Sequence, residues 1–324
     1  MASEPTYRGL YDYKCTKYVK QIIDTTGSWD EIKSKFSKKL RNKTNRFQKK
    51  YRLDYNISNS LKDFDYFYHR MHVPFIKKRY GDLALILPYD KLKNYFLKGG
   101  LLFVMKDNVA VAGSLFKMED KTCEAYRAGV LDGDESYIKI GVQLAYSYYQ
   151  IKVAKENGMS SVNLRLSKPF LNDGVYQTKR QWGVTVLPDY DEGSWVYFFN
   201  AKPSEKIAKF FEINPLIADT DQGLIGILGI ADEADVLAET INKLTRQNRA
   251  SGIQGFTIIT QTNTMNVLDK KLVEACRSPM ELWANSDTPH KELSHVRSDR
   301  EPARECLKKQ SRSPILMAHR RQGV

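Results

Sequence analysis

A carboxylate, a phenol and a cation fall within seven residues at Asp173, Tyr176 and Lys179. The last two belong to the run Gly174-Val175-Tyr176-Gln177-Thr178-Lys179-Arg180-Gln181-Trp182-Gly183. An ammonium stabilises a developing oxyanion or holds a phosphate. A phenol passes a proton to a leaving group, and a carboxylate orients or deprotonates an amine. Trp182 offers a ring that packs the run against a core or stacks on a ligand. Arg127 and Arg165, expected on separate strands, suit bidentate contact with a phosphate or an acceptor carboxylate. Arg46 and Lys50 stand on a basic helix suited to phosphate. There is no G-x-S-x-G elbow and no local Cys-His pair.

The elements that must position these groups follow from periodicity. Apolar residues at helical spacing predict helices over 30–52, 61–79 (kinked at Pro74) and 89–98. A short strand is expected at 55–57. Runs at 101–105, 109–117 and 122–130, joined by tight polar turns, predict an antiparallel meander. A long helix over 137–156 ends at Asn157-Gly158 and leads to a strand at 162–166, a crossover unit. The Gly174–Gly183 run reads as a loop, and 184–187 with 194–199 as a closing hairpin. Beyond a helix at 204–211, a strand at 224–230, a helix at 232–248, a strand at 256–259 and a helix at 268–276 predict a small β-α-β-α extension. Gly226 and Gly229 lack both the dinucleotide fingerprint and a Walker lysine, so they are expected to relieve crowding.

The 324 residues carry a net charge of +13. Residues 1–80 hold 19 Lys/Arg against 8 Asp/Glu, so most of the excess is N-terminal. A basic surface of this kind points to polyanions, phosphorylated cofactors or acidic lipid, or is simply a solvated face. No run of eighteen apolar residues predicts a membrane span, and the polar N-terminus lacks a secretory signal. The four cysteines are far apart, with neither metal spacing nor a disulfide framework, and the five histidines complete no metal site. A cytoplasmic protein without a metal centre is the expectation.

The order of meander, long helix, strand, glycine-containing run and closing hairpin resembles the GNAT acyltransferase fold. Gly174 to Gly183 narrows the resemblance to the FemAB-like, peptidoglycan-bridge and polysaccharide-associated branch. There a G-x-y-x-x-K-x-x-(W/F)-G stretch follows the fifth core strand. The basic residues from Arg41 to Lys50 likewise resemble that branch's helix before the core. This implies an α/β fold, a GNAT-like mixed sheet with helices on both faces, followed by the small α/β extension. The expected segments are a basic helical region at 1–98 (or, alternatively, a reduced partner GNAT half), a GNAT-like core at 99–212, the extension at 213–285 and a disordered basic tail at 286–324.

The resemblance further implies acyl transfer to an amine or hydroxyl of a cell-envelope, sugar or small-molecule acceptor, by direct attack in a ternary complex and without a covalent enzyme intermediate. The donor is acyl-CoA or, alternatively, aminoacyl-tRNA. Lys179, Tyr176 and Asp173 become the candidate catalytic groups. Gly141, beside the start of the long helix, and Arg127 become candidates for the cofactor. Arg165, Trp182, Arg46 and Lys50 become candidates for substrate or tRNA. Two departures stand out. Asn163-Leu164-Arg165-Leu166-Ser167 occupies the place of an Asp-x-Gly-like strand end, and the usual acetyl-CoA phosphate loop is missing, with Gly141 alone nearby. The competing expectation is a degenerate GNAT fold that binds partners or nucleic acid without catalysis.

Overall fold

The structure, a computed structural model, describes residues 12–191, 193–268 and 316–320. The chain divides into two compact units, each discontinuous in sequence. One comprises 20–166 and 178–185; the other comprises 1–19, 167–177 and 186–324. The expected boundaries at 98/99 and 212/213 fall inside these units.

The first unit is built on a mixed sheet. Asp54–Ser58, Gly99–Lys106, Val109–Glu119 and Thr122–Val130 pair antiparallel in succession. Ser161–Ser167 then adds in parallel, and Val19–Asp24 lies beyond it. Helices cover both faces. On one, Leu101, Phe103 and Leu115 pack with Phe64, Phe67, Met71, Leu92 and Phe96. On the other, Ser114 meets Gln150 of the helix Val142–Glu156 at 3.4 Å. Alternation along the strands sends successive side chains to opposite helix layers, so the central strands are apolar on both faces.

Three of the expected helices are interrupted, each for a visible reason. The helix expected over 30–52 splits into Trp29–Ser34 and Lys38–Lys49. Ser28 and Glu31 form a capping box on the first, and the Ser37 hydroxyl accepts from the Leu40 amide at 3.2 Å on the second. The 61–79 helix contains a π-helical turn, Phe67–His72, that ends two residues before Pro74. The wider turn accommodates the missing proline donor without breaking the rod. The 137–156 helix is divided at Gly141 (φ +99°) into Glu135–Ile140 and Val142–Glu156.

The second unit corrects several expectations. Trp195–Phe199 forms no hairpin with the residues at 184–187. It pairs antiparallel with Tyr13–Thr16, a strand the sequence reading did not find, and with Leu316–Arg320 from within the expected disordered tail. The strand, helix and strand of the expected extension are present as Gly223–Gly229, Ala238–Asn248 and Ile253–Ile259, within a four-stranded sheet in the order Leu216–Thr220, Gly223–Gly229, Ile253–Ile259, Thr264–Leu268. Its central pair is parallel, bridged by the helix Ala238–Asn248. The expected helix at 268–276 lies outside the described residues after Leu268. Phe198, Ile207, Phe211, Leu216 and Ile227 fill the core. Gly229 relieves crowding as expected: a Cβ there would lie 1.9 Å from the Ala208 carbonyl oxygen.

Candidate active site

Parallel pairing between Thr122–Val130 and Ser161–Ser167 runs through Thr122↔Ser161, Cys123↔Val162 and Glu124↔Asn163. Past this point both strands continue, from Ala125 and Leu164 onward, without further register between them. The divergence coincides with Arg165, which adopts φ +66° in the middle of its strand. A non-glycine residue in this region is strained, and such strain concentrates at functional sites. The Asn163 side-chain oxygen accepts from the Arg165 amide at 2.8 Å, which fixes the bend.

A polar cluster gathers at the fork. The Arg165 guanidinium pairs with the Glu124 carboxylate. The Tyr95 hydroxyl donates to the other Glu124 oxygen at 3.0 Å. The Tyr95 ring stacks on Tyr126 with centroids 3.8 Å apart and 14° between planes. Arg127 and Arg165 lie 4.6 and 5.0 Å from the Tyr126 ring centroid. Burial, reinforced by the Glu124 charge, raises the Tyr95 phenol well above its ordinary range and keeps it a donor. Arg127 donates to its neighbour's carbonyl, that of Tyr126, at 3.0 Å, and forms no ion pair with a carboxylate among the described residues. Burial lowers its pKa, the mark of a guanidinium drawn out of water. Glu124, Tyr95 and Tyr126 escaped the sequence reading. The only signal was a single acid on an otherwise alternating strand.

The other sequence candidates separate. Lys179, half-buried on the helix Gly174–Arg180, donates to the carbonyls of Leu166 and Arg165 at 2.8 and 3.2 Å. Its ammonium thus anchors the bent strand end. Asp173 accepts from the Tyr176 amide at 2.9 Å, a helix cap. Asp173→Ala is expected to cost about 1 kcal/mol in thermal or urea unfolding, the usual cap penalty. Tyr176 is fully buried, so its phenol stands away from solvent-borne ligands. Trp182 is 3 % exposed and meets Phe36 edge to face at 5.1 Å. Gly141 supplies a left-handed joint between two helices. Arg46 and Lys50 are exposed and converge on Tyr51, each 5.6 Å from its ring centroid. They belong to a run of ten Lys and Arg without a single acid between Ile32 and Leu53.

Next to Arg127, His72 ends the π-helical turn, 1 % exposed. Its Nδ1 lies 3.0 Å from the Ala128 carbonyl, and its Nε2 is buried without a partner among the described residues. Burial depresses the imidazole pKa and the Arg127 cation adds to this, against the opposing effect of the Ala128 carbonyl. A folded pKa below the unfolded value of about 6.5 means that the unfolded chain takes the proton first. This contribution to stability is therefore present above about pH 6.5 and is lost as pH falls toward the folded value. His72→Gln is expected to flatten the fall in unfolding free energy between pH 7 and 5. An unchanged slope would remove His72 as its source.

No family model and no curated protein matches the chain. Among solved structures, FemX aligns with a TM-score of 0.42 and 13% identity, over 52% of this chain and 59% of FemX. L-PGS from Bacillus licheniformis aligns with a TM-score of 0.39 and 12% identity, over 56% of this chain and 60% of that one. The C-terminal domain (DUF2156) of a lysylphosphatidylglycerol synthetase from Agrobacterium fabrum aligns with a TM-score of 0.38 and 12% identity, over 54% and 59%. The matched region thus spans about three-fifths of each of these structures.

Proposed function

We propose that the chain is an acyltransferase, moving an acyl group from acyl-CoA or an aminoacyl group from aminoacyl-tRNA to an amine or hydroxyl acceptor. The acceptor class is a cell-envelope, sugar or small molecule. The observation that carries this reading is the fork between Thr122–Val130 and Ser161–Ser167, with the desolvated Arg127 at its edge. Diverging strands present main-chain amides and carbonyls to an extended ligand, and Arg127 supplies the charge for a phosphate.

In the proposed reaction the acceptor nitrogen or oxygen attacks the donor carbonyl. The carbonyl π electrons move onto oxygen, and the tetrahedral oxyanion needs donors in place before the step. The C–S bond of a thioester or the C–O bond of a tRNA ester then breaks, and the proton lost by the acceptor ends on the leaving group. Tyr95, Glu124 and Arg165 form one linked set whose geometry is fixed before ligand arrives. Lys179 acts as a positioning residue through the Arg165 and Leu166 carbonyls.

Turnover with acyl-CoA and with charged tRNA, across a broad acceptor panel, tests the reading. Absence of turnover with both donors overturns it. The donor is decided by salt. The acid-free basic run predicts that tRNA affinity falls steeply with log[salt], and that Arg46→Glu with Lys50→Glu lowers the slope by about 2. Acyl-CoA turnover is expected to be indifferent to that double change.

A further inference from the structure

The segment between the helices Val73–Tyr80 and Tyr89–Phe96 carries apolar side chains that the fold leaves in water. Leu83 is 86 % exposed, Leu85 91 % and Tyr80 50 %. The segment is nevertheless anchored. The Ala84 amide donates to the Gly81 carbonyl at 3.1 Å, and the Tyr68 hydroxyl donates to the Leu87 carbonyl at 3.0 Å. Leu87 itself packs on the core that contains Phe64 and Phe67. Two leucines so exposed stand clear of the surface instead of lining a groove. Large apolar groups held out in this way mark an interaction site.

The charge around them selects the partner. Lys77, Lys78 and Arg79 occupy the last turn before the loop, all exposed. From residue 77 to 93 there are five Lys/Arg against Asp82 and Asp90. A folded protein partner would have to provide a matching apolar socket. A lipid leaflet yields to protruding leucines, and an anionic one also attracts the adjoining cations. No described helix is long and apolar enough to cross a membrane, so contact of this kind is peripheral.

We propose that the 80–85 loop docks on an anionic bilayer, with Leu83 and Leu85 entering the boundary between headgroups and acyl chains while Lys77, Lys78 and Arg79 face the lipid phosphates. This role is independent of the acyl-transfer reading. Flotation of the full chain with phosphatidylcholine vesicles, with and without phosphatidylglycerol, tests it. The chain is expected to float with the anionic vesicles and at least tenfold less with neutral ones.

The basic helix elsewhere in the chain also attracts anionic lipid, so the leucines decide the matter. Leu83→Ser with Leu85→Ser is expected to weaken partitioning about tenfold at unchanged melting temperature. Lys77→Glu with Lys78→Glu is expected to weaken it further as salt falls. Wild-type partitioning by the leucine variant, or no flotation of the wild type, overturns the proposal. So does sedimentation showing that the leucines hold two copies together while vesicle binding is unaffected.

Discussion

Arg127→Ala is expected to lower kcat/KM for the phosphorylated donor by about a hundredfold while the protein stays folded. The guanidinium is partly withdrawn from water, sits over the Tyr126 ring at 4.6 Å and has no carboxylate partner among the described residues. A charge desolvated without an internal counter-ion stabilises little, and removing it leaves no orphaned anion behind. Its charge is therefore available to a ligand phosphate, and a hydrogen bond to a charged group is worth about 1.5–3 kcal/mol, or roughly ten- to a hundredfold in a rate or affinity. Arg127→Lys keeps the charge but loses the fork of donors, so partial rescue is expected. The split between parameters is informative. A donor-binding role raises KM most, whereas a role confined to the transition state lowers kcat at constant KM. Equal turnover by Arg127→Ala and wild type would take Arg127 out of the site.

Arg165 contrasts with it on the same fork. Its guanidinium already has the Glu124 carboxylate, and Glu124 also holds Tyr95. Arg165→Ala would strand Glu124, half-buried, and remove an interaction that fixes the strand end. Its effect on activity is therefore entangled with stability, and the double change Glu124→Gln/Arg165→Gln separates the two. The positive φ of Arg165 and the Lys179 ammonium on its carbonyl show why this bend needs several supports at once. A strained residue persists only where its surroundings over-determine it.

What the sequence reveals and what it hides follow from the range of the forces involved. The meander at Gly99–Val130 and the helix ending at Asn157-Gly158 are written in local alternation and turn chemistry, so they were legible. The strands Tyr13–Thr16 and Val19–Asp24 were not. Tyr13–Thr16 pairs with residues about 180 positions away, a contact of which the chain carries no local trace. The Gly174–Gly183 run was legible as a conspicuous pattern but misread in conformation. Residues from Gly174 to Arg180 form a helix, which places Tyr176 inside and Lys179 on main-chain carbonyls. Residue type alone suggested catalysis, and the structure adds the partners each side chain has. Arg127 and Arg165 were singled out as arginines expected on separate strands, Arg165 in the place of an expected acid. Glu124 and Tyr95, which give them their setting, become visible only when strand and helix are brought together.

Trp182→Ala is expected to destabilise the protein by about 3–5 kcal/mol, the usual range for removing a buried aromatic. The sequence offers Trp182 as a ring that packs the run against the core or stacks on a ligand, and the structure gives it core partners. Its indole meets Phe36 at 5.1 Å, Phe36 meets Trp29 at 6.5 Å, Trp29 meets Tyr148 at 5.3 Å, and Tyr148 meets Phe47 at 5.6 Å. The chain of edge-to-face contacts thus links the run to the helices Trp29–Ser34, Lys38–Lys49 and Val142–Glu156. The main chain is tied in as well, because the Ser37 amide donates to the Gln181 carbonyl at 2.8 Å. Gly183 follows with φ +70°, and a Cβ there would come within 2.6 Å of the Lys35 carbonyl oxygen, so the turn admits no side chain. Ligand stacking and core packing by Trp182 make opposite predictions. If the ring packs, Trp182→Phe retains most of the stability and Trp182→Ala loses the full amount, while donor affinity per folded molecule stays constant. If it stacks on a ligand, the alanine variant melts near wild type and its donor affinity falls. Chemical denaturation beside donor titration at a temperature where both variants are folded distinguishes them, and the buried geometry predicts the first outcome.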